Sequence, residues 1–271
     1  MLDLEKVASS VPTDDDTYIQ PADGLLYCKH CHTPRQCKID FLGQVKIVPC
    51  ICRCMEEKRK NEAEAVKRRK EIDWLREEGF SDILQKNQTF EADDEKNPEL
   101  SKAMRNYVSN FTELRTDGKG LLLYGPKGTG KTFFAACICN ALIDKQRPCL
   151  MTQFSRLVNT ISGMWEGKQD YIDSLARFDL VAIDDLGAER NTDFMNENVF
   201  TIVDTLYRAR VPMIITSNLA LSQMVDETDI KQARVYDRIL ERCLPIEFKG
   251  ESRRLEKARQ DYKQTRMILG L

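Results

Sequence analysis

Two stretches of this chain hold residues whose types and spacing dictate a chemistry. The first is Gly125-Pro126-Lys127-Gly128-Thr129-Gly130-Lys131-Thr132, which fits G-x-x-x-x-G-K-[ST]. It follows the apolar run Leu121–Tyr124 and precedes the helix-like TFFAACICNALI, the strand–loop–helix setting that a phosphate-binding P-loop needs. Its glycines let successive backbone N–H groups turn inward and enclose phosphate oxygens at the helix amino terminus. Lys131 is expected to reach the β- and γ-phosphates, and Thr132 to place its hydroxyl on Mg²⁺. No G-x-G-x-x-G register exists here, so a dinucleotide fingerprint is excluded.

Downstream, Phe178-Asp179-Leu180-Val181-Ala182-Ile183-Asp184-Asp185 reads as an apolar strand ending in two carboxylates. Asp184 suits the Mg²⁺ shell beside Thr132, and Asp185 suits orienting or polarising an attacking water. A third apolar run, Met213-Ile214-Ile215, ends in Thr216-Ser217-Asn218 and brings a polar tip that would report the γ-phosphate.

The second chemical stretch is Cys28–Cys54. It holds six of the ten cysteines and both histidines, His30 and His32. In a reducing compartment such a cluster reads as metal binding before disulfides. Cys28-x-x-Cys31 and Cys52-x-Cys54 are the two close pairs that can complete a tetrahedral zinc site, and a closed four-ligand site is structural. Cys50 is the rival ligand, because Cys50-Ile51-Cys52 supplies the same spacing. His30, His32 and Cys37 rank behind it, and an iron–sulfur cluster is the alternative occupant. Cys137, Cys139, Cys149 and Cys243 are scattered among apolar neighbours and read as small core residues.

The elements that must carry these groups follow from the pattern around them. From Gly120 onward, short apolar runs (Leu121–Tyr124, Cys149–Thr152, Leu180–Ile183, Met213–Thr216) alternate with longer amphipathic segments. That alternation predicts an α/β domain with a parallel sheet covered on both faces. Upstream, a helix is expected at about 99–116. Residues 55–79 are rich in Glu, Lys, Arg and Ala and predict a charged helix ending at Gly79, read as its cap. Gln44–Val48 alternates like one strand of a ribbon, and residues 1–24 are polar and expected to be loosely held. The expected domains are a loosely held start with a zinc-binding module at 1–54, a charged helical linker at 55–87 and an ATPase domain at 88–271.

Composition narrows the function class. Of 271 residues, 42% are hydrophobic and 31% charged, and 41 Lys and Arg against 43 Asp and Glu leave a net charge of −2. A globally basic nucleic-acid binder is excluded, although a local basic face is not. No run approaches the roughly 18 apolar residues of a membrane span. The acidic start MLDLEKVASSVPTDDD lacks the parts of a secretory signal, so a cytoplasmic protein with no membrane partner is expected.

The motifs GPKGTGKT, FDLVAIDDLGAE, IITSN and ARVYDRILERCLPIEFKGESRR together resemble the AAA+ ATPases of the DnaC-type helicase loaders and their IstB-type transposition relatives. Gln88-Thr89-Phe90-Glu91 is similar to the short segment that precedes the ATPase core in that family, so the resemblance covers roughly 88–255. It implies an ATPase that uses ATP and Mg²⁺ and self-assembles into a nucleotide-dependent oligomer with nucleotide between neighbours. By motif position Asn218 is the sensor-1 residue, Arg238, with Arg234 nearby, is the trans-acting arginine, and Arg254 is a late arginine facing the phosphates. Asp185 stands where many AAA+ ATPases carry glutamate, which implies slow hydrolysis stimulated by partners. Zinc-bearing amino-terminal domains occur in some loaders, where they contact the helicase.

The implied partners are a DnaB-type replicative helicase and single-stranded DNA; the alternatives are an IstB-like accessory ATPase acting on a transposase–DNA complex and a zinc-containing DNA-binding switch. In loaders and initiators the segment matching Phe154–Arg177 engages DNA or neighbours. Here it offers Arg156, Trp165, Lys168 and Tyr171, which suit base stacking and phosphate contact or ordinary helix packing equally.

Overall fold

A computed structural model describes residues 16–187 and 193–270, in a chain that divides into two compact units, Met1–Lys70 and Glu71–Leu271. In the first unit, β1 (Thr17–Ile19) pairs antiparallel with β2 (Leu26–Cys28), and β3 (Gln36–Phe41) with β4 (Gln44–Pro49). Of the segment 1–24, residues 1–15 lie outside the described residues, and Thr17–Ile19 is strand. The β3–β4 register closes Phe41 on Gln44 across Leu42 and Gly43, both at positive φ (55° and 77°). That is the two-residue turn whose twist suits a hairpin. Among its described residues only Leu25, Leu26, Cys28 and Cys52 form an apolar core, too little to hold a module of this size without a cross-link.

Helix α1 (Arg53–Gly79) matches the charged segment closely. Gly79 ends it, but not as a left-handed cap: its φ is not positive. A Cβ at Gly79 would stand 2.3 Å from the Cys149 carbonyl oxygen, so the missing side chain serves close approach to the sheet. Phe80 then forms a parallel bridge to Met151.

The second unit continues through α2 (Ile83–Lys86), α3 (Pro98–Ser109) and α4 (Phe111–Thr116). The single helix expected at 99–116 is thus two, broken at Asn110 (φ −101°, ψ 14°). Next come β5 (Gly120–Tyr124), α5 (Lys131–Ile143), β6 (Cys149–Gln153), α6 (Phe154–Gly163), α7 (Lys168–Ser174) and β7 (Leu180–Leu186). The chain proceeds through α8 (Asp193–Arg208), β8 (Met213–Ser217), α9 (Leu221–Val225), α10 (Ile230–Arg242), β9 (Cys243–Glu247) and α11 (Arg253–Leu269).

All five strands of this unit are parallel, in the order β6-β7-β8-β5-β9. Strand side chains alternate between two cores: Leu121, Leu123, Leu180, Ala182 and Ile214 face one, and Leu122, Val181, Ile183, Met213 and Ile215 the other. Helix α5 covers the first face, and α6, α8 and α10 the second, as a two-sided parallel sheet requires. Cys137, Cys139, Cys149 and Cys243 are buried here as expected. Strand β9 escaped the sequence pattern because Pro245 interrupts CLPIE, and an edge strand is where proline is tolerated.

Because β8 lies between β7 and β5, the carboxyl ends of these three strands stand side by side. They carry the P-loop, the two aspartates and Asn218.

Candidate nucleotide site and cysteine cluster

The P-loop starts from the end of β5. Gly125 sits at φ 130°, and a Cβ there would lie 2.2 Å from the Phe248 carbonyl oxygen. Gly128, at φ 82°, is packed by Ser252, leaving 2.1 Å between a would-be Cβ and Oγ. Only glycine fits either place. Lys131 opens α5 almost fully buried, and its Nζ donates to Gly125 O (2.8 Å), Pro126 O (2.7 Å) and Asn218 Oδ1 (3.0 Å). Burial pulls its pKa down, while the carboxylates of Asp185 and Asp184 resist that fall. The ammonium is therefore held at the mouth of the loop with every proton engaged by groups that a phosphate can replace.

Thr132 Oγ1 donates to Asp184 Oδ1 at 2.8 Å, so the two residues expected to share Mg²⁺ meet in the folded chain. Both offer hard oxygen donors, the ligand type Mg²⁺ takes, and together they would hold the cation against nucleotide phosphates. Asp184 is 4% exposed; burial raises its pKa, and the hydroxyls of Thr216 and Thr132 oppose that rise.

Two consecutive residues of a regular strand point to opposite faces, which would send Asp185 away from the site. Instead the β7–β8 register shifts between Ile183 and Leu186, and Asp185 takes φ +61°. This bulge turns Asp185 into the cleft lined by Lys131 and Thr132, where Asn218 Nδ2 approaches its Oδ1 at 3.5 Å.

The cleft has a volume of about 650 Å³, within the usual range for a small-molecule site. On its far side α11 closes over the loop. Ser252 caps that helix, Arg253 N donates to Gly128 O (2.9 Å), and the Arg253 side chain pairs with Asp94 (2.8 Å). Arg254 lines the cleft, and its charge acts on both Lys131 and Asp184. The sequence pattern marks Thr216 only as part of the Thr216-Ser217-Asn218 tip, and it singles out neither Arg253 nor Asp94. The Ser252 cap was a readable signal for a helix start beside them.

Arg238 is not in the cleft of its own chain. Its Nε donates to Asp204 Oδ1 at 2.7 Å, and the guanidinium lies 4.5 Å from the Phe200 ring centroid. Arg234 is exposed on the same helix. Within 154–177, α6 buries Phe154, Leu157, Val158 and Ile161, Tyr171 packs on the second core, and Arg156 donates to Ser81 O (3.0 Å). Lys168 is exposed at the start of α7, and Trp165 stands 99% exposed between the helices. In the motif that follows β7, Ala188 and Glu189 lie outside the described residues.

In the first unit the Sγ atoms of Cys28, Cys31, Cys52 and Cys54 lie within 4.8 Å of one another. Cys54 is 3.5 Å from Cys28 and 3.4 Å from Cys52. A tetrahedron with Zn–S bonds of about 2.3 Å has edges of roughly 3.8 Å, so the four sulfurs fit a zinc ion with little adjustment. Backbone N–H groups of Cys31 and His30 lower the Cys28 pKa. The Thr33 hydroxyl, 3.1 Å from Cys31 Sγ, is the main cause holding that thiol down to about 5. Thr33 also accepts from Arg53 N (3.0 Å), so the start of α1 is tied to the cluster. Cys50 instead donates to Pro34 O (3.4 Å), His30 pairs with Asp16 and His32 meets Tyr18. None of these three, nor Cys37, belongs to the cluster.

A parallel sheet in this order, with a P-loop after β5, paired aspartates on β7 and a polar tip on β8, defines the AAA+ class of P-loop nucleotide-binding folds. Residues 84–261 match the family model described as IstB-like ATP binding protein, and the chain belongs to that family. It is homologous to replicative helicase loaders. It is 28% identical over 167 residues to the replicative helicase loader DnaI of Bacillus subtilis (strain 168), covering 56% of this chain and 54% of that one. It is 29% identical over 170 residues to the replicative helicase loader DnaC of Escherichia coli (strain K12), covering 60% and 66%. The chain thus spans between about half and two thirds of the length of these loaders. In fold it resembles the crystal structure of the DnaI, with a TM-score of 0.55 at 22% identity, over 65% of this chain and 96% of that one. Among the described residues no helix is long and apolar enough to cross a membrane.

Proposed function

We propose that this protein is an ATP-dependent helicase loader that binds a DnaB-type replicative helicase and helps place it on single-stranded DNA during replication initiation. The observation that carries this reading is the homology to two replicative helicase loaders over a region that includes the nucleotide site. ATP binding, with Mg²⁺ held by Thr132 and Asp184, favours a loader assembly in which Arg238 of one subunit completes the cleft of the next. Asp185 orients water for a slow, partner-stimulated hydrolysis that releases the assembly. Asn218, joined to both Lys131 and Asp185, couples the state of the γ-phosphate to the end of β8. The module at 1–54, held by zinc on Cys28, Cys31, Cys52 and Cys54, recruits the helicase in the cytoplasm. The charged segment 55–87 links it to the ATPase domain at 88–271.

The test is unwinding of a forked duplex by the helicase when single-strand-binding protein covers the loading strand. Addition of this protein with ATP restores unwinding; failure to do so, with active helicase, contradicts loading. Membership of the IstB-like ATP binding family, with a likeness to a putative insertion sequence ATP-binding protein, supports a second reading, an accessory ATPase acting on a transposase–DNA complex. That reading requires ATP-dependent capture of a transposase and not of the helicase.

A further inference from the structure

The distortion that turns Asp185 into the cleft, while Asp184 stays buried against Thr132, needs something to hold it. Backbone pairing runs Ile183 to Ile215 and resumes at Leu186 to Ser217, so Asp184 and Asp185 together stand opposite Thr216. At this gap the ladder is replaced by side-chain bonds. The Thr216 hydroxyl accepts from Asp185 N–H at 3.0 Å and donates its one proton to Asp184 Oδ1 at 2.5 Å. Thr216 is 1% exposed and Asp184 is 4% exposed, so water is poorly placed to substitute. The next residue repeats the device: Ser217 Oγ donates to Leu186 O (2.7 Å) and accepts from Leu219 N–H (3.1 Å).

We propose that Thr216 is a positioning residue of the nucleotide site, whose single hydroxyl sets the backbone of Asp185 and the carboxylate of Asp184 together and so tunes the Mg²⁺ dependence of nucleotide binding. This rests on the reading of the cleft as a nucleotide site. Thr132 also donates to Asp184, but its hydroxyl is the one expected to turn toward the cation. Thr216 has no such second duty, since its one proton goes to Asp184 and its oxygen accepts from Asp185 N–H, both within the β7–β8 pair. It is thus the donor left to Asp184 once Thr132 turns toward the cation. Groups that orient a metal-ligating carboxylate commonly change metal affinity 10- to 100-fold when removed.

Thr216→Val keeps the volume and the methyl group but leaves Asp185 N–H and Asp184 Oδ1 short of a partner; Thr216→Ser keeps the hydroxyl. The experiment titrates a non-hydrolysable ATP analogue into the full chain by calorimetry at graded Mg²⁺, beside steady-state hydrolysis. In Thr216→Val the Mg²⁺ concentration for half-maximal tightening rises about tenfold or more, and kcat falls with little change in KM. Affinity without Mg²⁺ stays within about threefold, and Thr216→Ser behaves like the parent in both assays. A parent-like Mg²⁺ midpoint in Thr216→Val, or a Thr216→Ser as impaired as Thr216→Val, overturns the proposal. If Thr216→Val does not fold by circular dichroism, Thr216→Ser and Thr216→Ala decide: impairment of the serine variant overturns the proposal, and loss confined to alanine supports it. Failure of the parent to bind the analogue at any Mg²⁺ concentration would instead remove the nucleotide-site reading, and this inference with it.

Discussion

Replacing Lys131 with methionine removes one charge from the centre of the cleft while nearly preserving volume. The ammonium already spends its three protons on Gly125 O, Pro126 O and Asn218 Oδ1. On the proposed reading, nucleotide binding exchanges these bonds for bonds to charged phosphate oxygens. Two charge-assisted contacts at about 1.5–3 kcal/mol each, less the neutral carbonyl bonds given up, leave a net of about 2–4 kcal/mol, or roughly 30-fold to 10³-fold in Kd. The fold has less at stake. Methionine fills the space, and removing a partly desolvated cation offsets part of the cost of leaving the Gly125 and Pro126 carbonyls without this donor. A stability change within about 1.5 kcal/mol is expected, a few degrees in Tm for a chain of this size. Calorimetric titration with ATP and a thermal melt on the same preparation separate the two effects. An unchanged Kd in a folded Lys131→Met variant would refute the assignment of Lys131 to the phosphates.

Burial raises the Asp184 pKa, so the folded chain binds this proton more tightly than the unfolded chain does. As pH falls through the window between its ordinary and raised values, the nucleotide-free fold gains stability from neutralising Asp184, while Mg²⁺-dependent nucleotide binding weakens. Asp184→Asn should therefore melt no lower than the parent near neutral pH, with the difference narrowing on acidification; a markedly lower Tm at neutral pH contradicts it. Elemental analysis should find one zinc ion per chain in the parent and in Cys50→Ser, and none in the double variant Cys28→Ser with Cys31→Ser. Full retention in the double variant overturns the ligand set. Lys131→Ala and Arg238→Ala chains, each inactive alone, should recover at least tenfold more ATPase activity when mixed, because an arginine in trans is worth roughly 10³–10⁵ in rate elsewhere. No recovery in a mixture that co-assembles would contradict a trans role for Arg238.

Legibility in the sequence followed the range of the interactions concerned. The P-loop was readable because a phosphate cradle is built from contiguous residues, with Gly125 and Gly128 required by local backbone conformation and close packing. Four of the five parallel strands were readable because burial on both faces leaves apolar runs, and Cys28, Cys31, Cys52 and Cys54 because two tight pairs announce themselves by spacing. What needed the structure depends on pairing across the chain. The bulge at Asp185 is a matter of register with β8, and Thr216 acquires its place only through that register. Gly79 looked like a cap because its partner, the Cys149 carbonyl, lies far along the chain. The ion pair of Arg253 with Asp94 likewise joins segments that no local period relates.

Native mass spectrometry of the zinc-loaded protein mixed with the DnaB-type helicase of its host, in ATP and in ADP, tests the central claim most directly. The account predicts a discrete complex with the helicase whose stoichiometry changes between the two nucleotides. Absence of any complex in both nucleotide states, with each component intact, would contradict loading and turn the search to a transposase.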